Sequence, residues 1–218
     1  MQTIIFANGI INPATAVREL LKAAEFVIAA DGGARHCLAL ELTPDVLIGD
    51  FDSLTPAEIA RLEAAGAELI RHPARKDHTD LELALAHAAA RGATAVTILG
   101  GLGGRLDQTA ASLLLPASPD RRKLSIRLVD GRQSARVLHG PGSLDLAGRP
   151  GDTLSLLALA GDAIGITTSG LEYPLQNQNL AFGSSHGISN ALIGERAELR
   201  LEAGLLLVVQ IEGLAGEE

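Results

Sequence analysis

Short, unbroken apolar runs alternate with amphipathic stretches through the first half of the chain, and this rhythm limits the folds available to it. Residues 3–7, 26–30, 46–48, 68–71 and 95–99 read as strands. Residues 14–24, 34–42, 56–65, 80–91 and 106–115 read as the helices between and after them. Strands that are apolar on both faces belong in a parallel sheet covered on both sides by helices. Two helices carry start signals: Thr55-Pro56-Ala57-Glu58 and Thr79-Asp80-Leu81-Glu82 both read as capping boxes. Beyond residue 124 the rhythm changes to short strands separated by Gly or Pro, at 125–130, 134–139, 143–146, 153–158, 164–168, 198–202 and 205–211. That spacing predicts a small β-sandwich, with Glu202-Ala203-Gly204 as a hairpin turn before the last strand. The polar, Pro-containing segment 118–123 reads as the joint. The expectation is an α/β domain with an open parallel sheet over residues 1–122 and a β-sandwich over 123–218.

Open parallel sheets bind ligands beyond the carboxyl ends of their strands, and polar loops fall at all five predicted ends. Asn8-Gly9 follows the first strand, Asp31-Gly32-Gly33 the second and Gly49-Asp50-Phe51-Asp52-Ser53 the third. Lys76-Asp77-His78-Thr79-Asp80 follows the fourth, and Gly100-Gly101-Leu102-Gly103-Gly104-Arg105 the fifth. Asp50 and Asp52 are two residues apart, so in an extended segment their side chains share one side. Two bare carboxylates about 4 Å apart repel by roughly 4 kcal/mol at an effective dielectric of 20. A divalent cation removes that penalty, and hard oxygen donors shared with substrate phosphates suit Mg²⁺. Asp also forms turns and helix caps. Its clustering at neighbouring strand ends favours a metal centre of Asp31, Asp50, Asp52 and Asp80.

Gly103 and Gly104 allow close backbone approach to a ligand, Arg105 offers a phosphate fork and Lys76 a phosphate charge. Asp107 and Gln108 can hold a substrate hydroxyl or amine, or cap the next helix. Neither a Walker loop nor a dinucleotide fingerprint is present. There is no Gly-x-Ser-x-Gly elbow and no His-Glu-x-x-His or Cys-x-x-Cys spacing. A net charge of −8 argues against a nucleic-acid footprint. No apolar run approaches the roughly 20 residues of a membrane span, and no signal peptide is evident, so a cytoplasmic protein is expected. Cys37, the one cysteine, reads as a packed thiol. Aromatic residues make up 2% of the chain, leaving few rings to stack on a ligand.

In their order, these loops resemble the thiamine pyrophosphokinase family. The similarity runs through Asp31-Gly32-Gly33, Pro44-Asp45, residues 49–53, residues 76–80 and Gly100 to Gln108. It continues into the second half at Thr168-Ser169-Gly170-Leu171-Glu172-Tyr173-Pro174-Leu175 and at Ser189-Asn190. The resemblance implies transfer of the β,γ-pyrophosphoryl group of ATP to the hydroxyl of thiamine, with release of AMP. It also implies a homodimer with active sites at the subunit interface. Carried over, Asp31, Asp50, Asp52 and Asp80 form the Mg²⁺ and phosphate centre. Lys76, Asp77, Arg105, Asp107 and Gln108 position the phosphates and the reacting hydroxyl, and Ser189 and Asn190 bind the aminopyrimidine of thiamine. Two features depart from many relatives: Ala191 in place of Glu, and the lack of Trp. A pyrophosphokinase for another alcohol, such as 6-hydroxymethyl-dihydropterin, shares the Gly-Asp-x-Asp-Ser loop but predicts a poor match in the second half. A non-catalytic nucleotide sensor has no need of the full set of aspartates.

Overall fold

Burial on both faces turns the apolar runs into a parallel sheet. In the computed structural model, which describes residues 1–11 and 14–213, the first unit spans residues 1–131. It contains β1 (Gln2–Phe6), α1 (Ala14–Leu21), β2 (Phe26–Ala30), α2 (Ala34–Ala39), β3 (Val46–Gly49) and α3 (Pro56–Ala64). These are followed by β4 (Glu68–Arg71), α4 (Asp80–Ala90), β5 (Ala95–Leu99), α5 (Leu106–Leu114) and β6 (Ser125–Asp130). The strands lie in the order β6-β5-β1-β2-β3-β4 and all pair in parallel.

Side chains alternate across the sheet. Ile4, Phe6, Val27, Ala29 and Leu47 share one core with Val17 of α1, Ala34 and Cys37 of α2 and Leu62 of α3. Their neighbours Ile5, Ile28, Ile48 and Ile98 are also buried. On the strands' period of two they face the other side, where α4 lies on β1, β2 and β3 with Leu81, Ala84, Leu85 and Ala88 buried. The Asp45 carboxylate accepts the Val27 N–H at 2.7 Å, which ties the start of β2 to the segment entering β3.

The chain runs outward from β1 through β2, β3 and β4, then returns to place β5 on the opposite side of β1. The loops after β1 and β5 therefore diverge, opening a crevice of the kind that holds ligands in doubly wound sheets.

The second unit, residues 132–218, is antiparallel. Strands β7 (Gln133–His139), β8 (Gly142–Ala147), β9 (Thr153–Ala158) and β10 (Ala163–Ser169) are followed by β11 (Gln178–Leu180), β12 (Asn190–Ala191), β13 (Arg196–Leu201) and β14 (Leu205–Ile211). They form two layers, β12-β9-β14-β7 and β11-β10-β13-β8. Leu154, Leu156, Leu206 and Val208 of the first layer pack with Leu146, Ile166, Leu199 and Leu201 of the second in one core. This is the expected sandwich.

Four details differ from the sequence reading. Residues 125–130 form a strand but pair in parallel with β5, so the units divide after Gly131 and not after residue 122. The polar stretch 118–123 is the crossover from α5 to that last parallel strand. The segment 202–204 is not a hairpin: β13 pairs with β10 and β8, whereas β14 pairs with β7 and β9. It carries the chain from one layer to the other. Strands β11 and β12 had no counterpart in the sequence reading.

Candidate active site

Asp31 leaves β2 with φ 44° and a buried side chain. The next two residues tolerate no side chain. A Cβ on Gly32 would strike the Asn8 side chain, and one on Gly33 the Phe6 carbonyl. This close packing fixes Asp31 at the sheet's edge, where its Oδ1 is buried without a hydrogen-bond partner among the described residues.

Asp50 and Asp52 follow β3, but strand alternation is not what brings them together. Gly49 has φ 149° and Phe51 φ 66°, so the backbone turns between the two acids. The Asp52 N–H donates to Asp50 Oδ1 at 3.3 Å, and Ser53 Oγ donates to Asp52 Oδ1 at 3.2 Å. A non-glycine residue at positive φ costs about 1–3 kcal/mol. Here Phe51 meets that cost by burying its ring, which is 3% exposed. Asp31, Asp50 and Asp52 each present a carboxylate oxygen within 4.8 Å of the other two. An all-oxygen set that includes an orphaned buried atom fits a hard divalent cation such as Mg²⁺.

Asp80 is placed differently. Lys76 Nζ lies 2.6 Å from Asp80 Oδ1 and 3.6 Å from Asp50 Oδ2. Burial raises the Asp80 carboxyl above its ordinary range, Lys76 opposes the rise, and the charges of Asp31 and Asp50 add to it. Burial alone would lower the Lys76 ammonium, but the hydrogen bond and charges of Asp80 and Asp50 outweigh it and raise it. Both directions reflect one ammonium shared between two acids. Thr79 caps α4, its Oγ1 accepting the Glu82 N–H at 3.2 Å. The capping box expected there is half formed, because the Glu82 carboxylate is engaged by Arg121 and His78. Asp77 is exposed in the loop before Thr79.

Between the loops after β1 and β5 lies a cleft of about 420 Å³. Of the residues singled out in the sequence, Asn8, Asp31, Thr79, Asp80, Gly103, Gly104, Arg105 and Gln108 line it. Gly100, at φ 69°, lets its loop press against the one after β1: a Cβ there would lie 2.5 Å from the Ala7 carbonyl. Gly9 of the Asn8-Gly9 loop lines the cleft as well, and so do Ile10 and Ser112, whose residue types gave no sign of it. Arg105 is held by its neighbour, with Nη2 2.6 Å from Asp107 Oδ2 and Nε 3.1 Å from Asp107 Oδ1. Asp107 thus orients the guanidinium and does not itself line the cleft.

Ser189 and Asn190 belong to the second unit. The Asn190 amide donates to the Tyr173 carbonyl at 2.7 Å, and its Oδ1 accepts the Tyr173 N–H at 3.1 Å and the Ala191 N–H at 2.9 Å. Ser189, at φ 60°, donates its N–H to Ser155 Oγ at 3.1 Å. Asn190 fixes the loop carrying Tyr173, the one tyrosine, whose side chain is largely exposed, while Ser189 is tied to β9.

Comparison with known proteins identifies the family of both halves. Residues 17–128 match the family "Thiamin pyrophosphokinase, catalytic domain", and residues 143–206 match "Thiamin pyrophosphokinase, vitamin B1 binding domain". The chain is 32% identical over 184 residues to the thiamine pyrophosphokinase of Bacillus subtilis, covering 84% of this chain and 86% of the relative. The crystal structure of the Bacillus subtilis enzyme superimposes with a TM-score of 0.86 at 28% identity, over 98% of this chain and 100% of that one. A thiamin pyrophosphokinase family protein from Enterococcus faecalis superimposes with a TM-score of 0.79 at 32% identity, over 97% and 98% of the two chains. With both halves matched in order and the strand-end carboxylates in place, the chain belongs to the thiamine pyrophosphokinase family.

Proposed function

We propose that this protein transfers the β,γ-pyrophosphoryl group of ATP to the hydroxyl of thiamine, giving thiamine diphosphate and AMP. The observation that carries this reading is the convergence of Asp31, Asp50 and Asp52 within 4.8 Å beside a glycine-lined cleft. Pyrophosphoryl transfer asks a protein mainly for alignment and charge neutralisation. Asp31, Asp50 and Asp52 would hold Mg²⁺, which when bound neutralises phosphate charge as a Lewis acid. The backbone at Gly103 and Gly104 gives phosphate oxygens close access to N–H groups, and Lys76 and Arg105 supply fixed positive charge. Asp80 lines the cleft and can accept the hydroxyl proton. Asp52 lies outside that lining and keeps to the cation set.

The described residues contain no helix long and apolar enough to cross a membrane, and we place the enzyme in the cytoplasm. We further propose a homodimer in which Ser189 and Asn190 of a second copy help to bind the aminopyrimidine. The exposed apolar side chains Tyr173, Ile188 and Ile193 around that pair support a covered surface there. Light scattering on the eluted protein tests it, a monomeric mass at assay concentration being the contrary result.

Incubation with thiamine, ATP and Mg²⁺, followed by mass spectrometry, tests the activity. Thiamine diphosphate is the expected product. Turnover of 6-hydroxymethyl-dihydropterin without turnover of thiamine would overturn the reading.

A further inference from the structure

Asp50, half-buried, and Asp52, exposed, sit on a backbone shape that the loop does not secure by itself. Phe51 separates them at φ 66°, and the hydrogen bond between them, at 3.3 Å, is long. The missing constraint comes from the next strand. Arg71, the last residue of β4, stands opposite Gly49 in the sheet register. Its Nη1 donates to the Asp50 carbonyl at 3.1 Å, and its guanidinium carbon lies 4.5 Å from the centre of the Phe51 ring. Among the described residues its guanidinium forms no ion pair with a carboxylate, so both contacts go to the turn.

We propose that Arg71 is a positioning residue: with the buried Phe51 ring it clamps the turn so that Asp50 and Asp52 converge, and thereby sets the affinity for the divalent cation. The fork hydrogen-bonds the carbonyl of one acid while its central carbon lies over the ring that holds the positive φ. One guanidinium thus fixes both sides of the bend, which a point-charge ammonium cannot do. The inference rests on the cation-binding reading of the three carboxylates, but not on the identity of the alcohol substrate.

Charge and clamping predict opposite signs. A guanidinium near a cation site repels the cation, so if Arg71 acted through charge alone, Arg71→Met would bind metal more tightly. The clamp predicts weaker binding, by about 10- to 100-fold, as for other residues that orient metal ligands. The measurement is Mn²⁺ titration followed by electron paramagnetic resonance, on wild type, Arg71→Met, Arg71→Lys and Phe51→Leu, without nucleotide or thiamine. Weaker Mn²⁺ binding in Arg71→Met, with Arg71→Lys also weakened despite its retained charge, supports the clamp. Unchanged or tighter binding in Arg71→Met overturns it. So does a raised nucleotide KM with unchanged Mn²⁺ affinity, which would make Arg71 a nucleotide contact. Should Arg71→Met fail to fold, Arg71→Lys and Phe51→Leu decide by the same criterion. Wild-type protein that binds no Mn²⁺ also overturns it, whereas the product assay on thiamine reports separately on the catalytic reading.

Discussion

At the scale of single residues, the site depends on a few backbone positions as much as on its acids. Gly49 combines φ 149°, which strains any side chain, with tight surroundings: a Cβ would come 3.0 Å from Asp80 Oδ1 and 3.1 Å from the Asp31 Cβ. Gly49→Ala is therefore expected to destabilise the fold by about 1–3 kcal/mol and to abolish activity, checked by denaturant melts beside a turnover assay. Asp52→Asn should behave differently. Its side chain is exposed and bonded locally to Ser53, so thermal stability should hardly move, while turnover falls about 100-fold or more through loss of charge. Cys37 lies deep in the core, and burial lifts its thiol from the usual 9.0 to about 12. Between those values the unfolded chain loses a proton that the folded chain keeps, so this group lowers stability as pH rises from 9 toward 12. Iodoacetamide should accordingly leave native Cys37 unmodified at pH 8 and label it on unfolding, as mass analysis of the intact protein will show. The aspartates were legible because acids at strand ends are few and chemically pointed. The geometry of Asp50 and Asp52 was not, because alternation assumes an extended chain, whereas the burial of Phe51 bends it. Arg71 gave no signal at all, since an exposed Arg at a strand end resembles any surface residue.

At the scale of elements, helix ends do much of the placing. Thr55 accepts the Glu58 N–H, and Glu58 accepts the Thr55 N–H at 2.7 Å, a complete capping box that starts α3 directly after the Asp50–Asp52 turn. Thr55→Ala should cost about 1 kcal/mol of stability, read as a shift in the urea midpoint. The Thr55 N–H and hydroxyl hold the Glu58 carboxyl below its ordinary range. Its contribution is therefore present above that range and lost as pH falls through the lowered value. The strands of the first unit were readable because burial on both faces leaves continuous apolar runs. Strand β6 was read as a strand but misassigned to the sandwich, because its sheet partner β5 is not encoded in its own pattern. Strands β11 and β12 are short and carry Gln178, Asn179 and Asn190, so periodicity had too little length and too little apolar content to register.

At the scale of the whole molecule, the two units keep separate cores, and the cluster of Asp31, Asp50 and Asp52 belongs to the first. Its orphaned Asp31 oxygen and shared Lys76 describe a centre with more negative charge than its own residues neutralise. Mg²⁺ should therefore raise the melting temperature and EDTA lower it. At 100 times its dissociation constant, a ligand bound only by the folded state stabilises it by about 2.7 kcal/mol. The most direct test of pyrophosphoryl transfer follows the phosphorus itself. With ATP labelled at the β-phosphorus, thiamine and Mg²⁺, the label should appear in thiamine diphosphate, with one AMP released for each product formed. Accumulation of labelled ADP, or thiamine phosphate without the β-label, would contradict it.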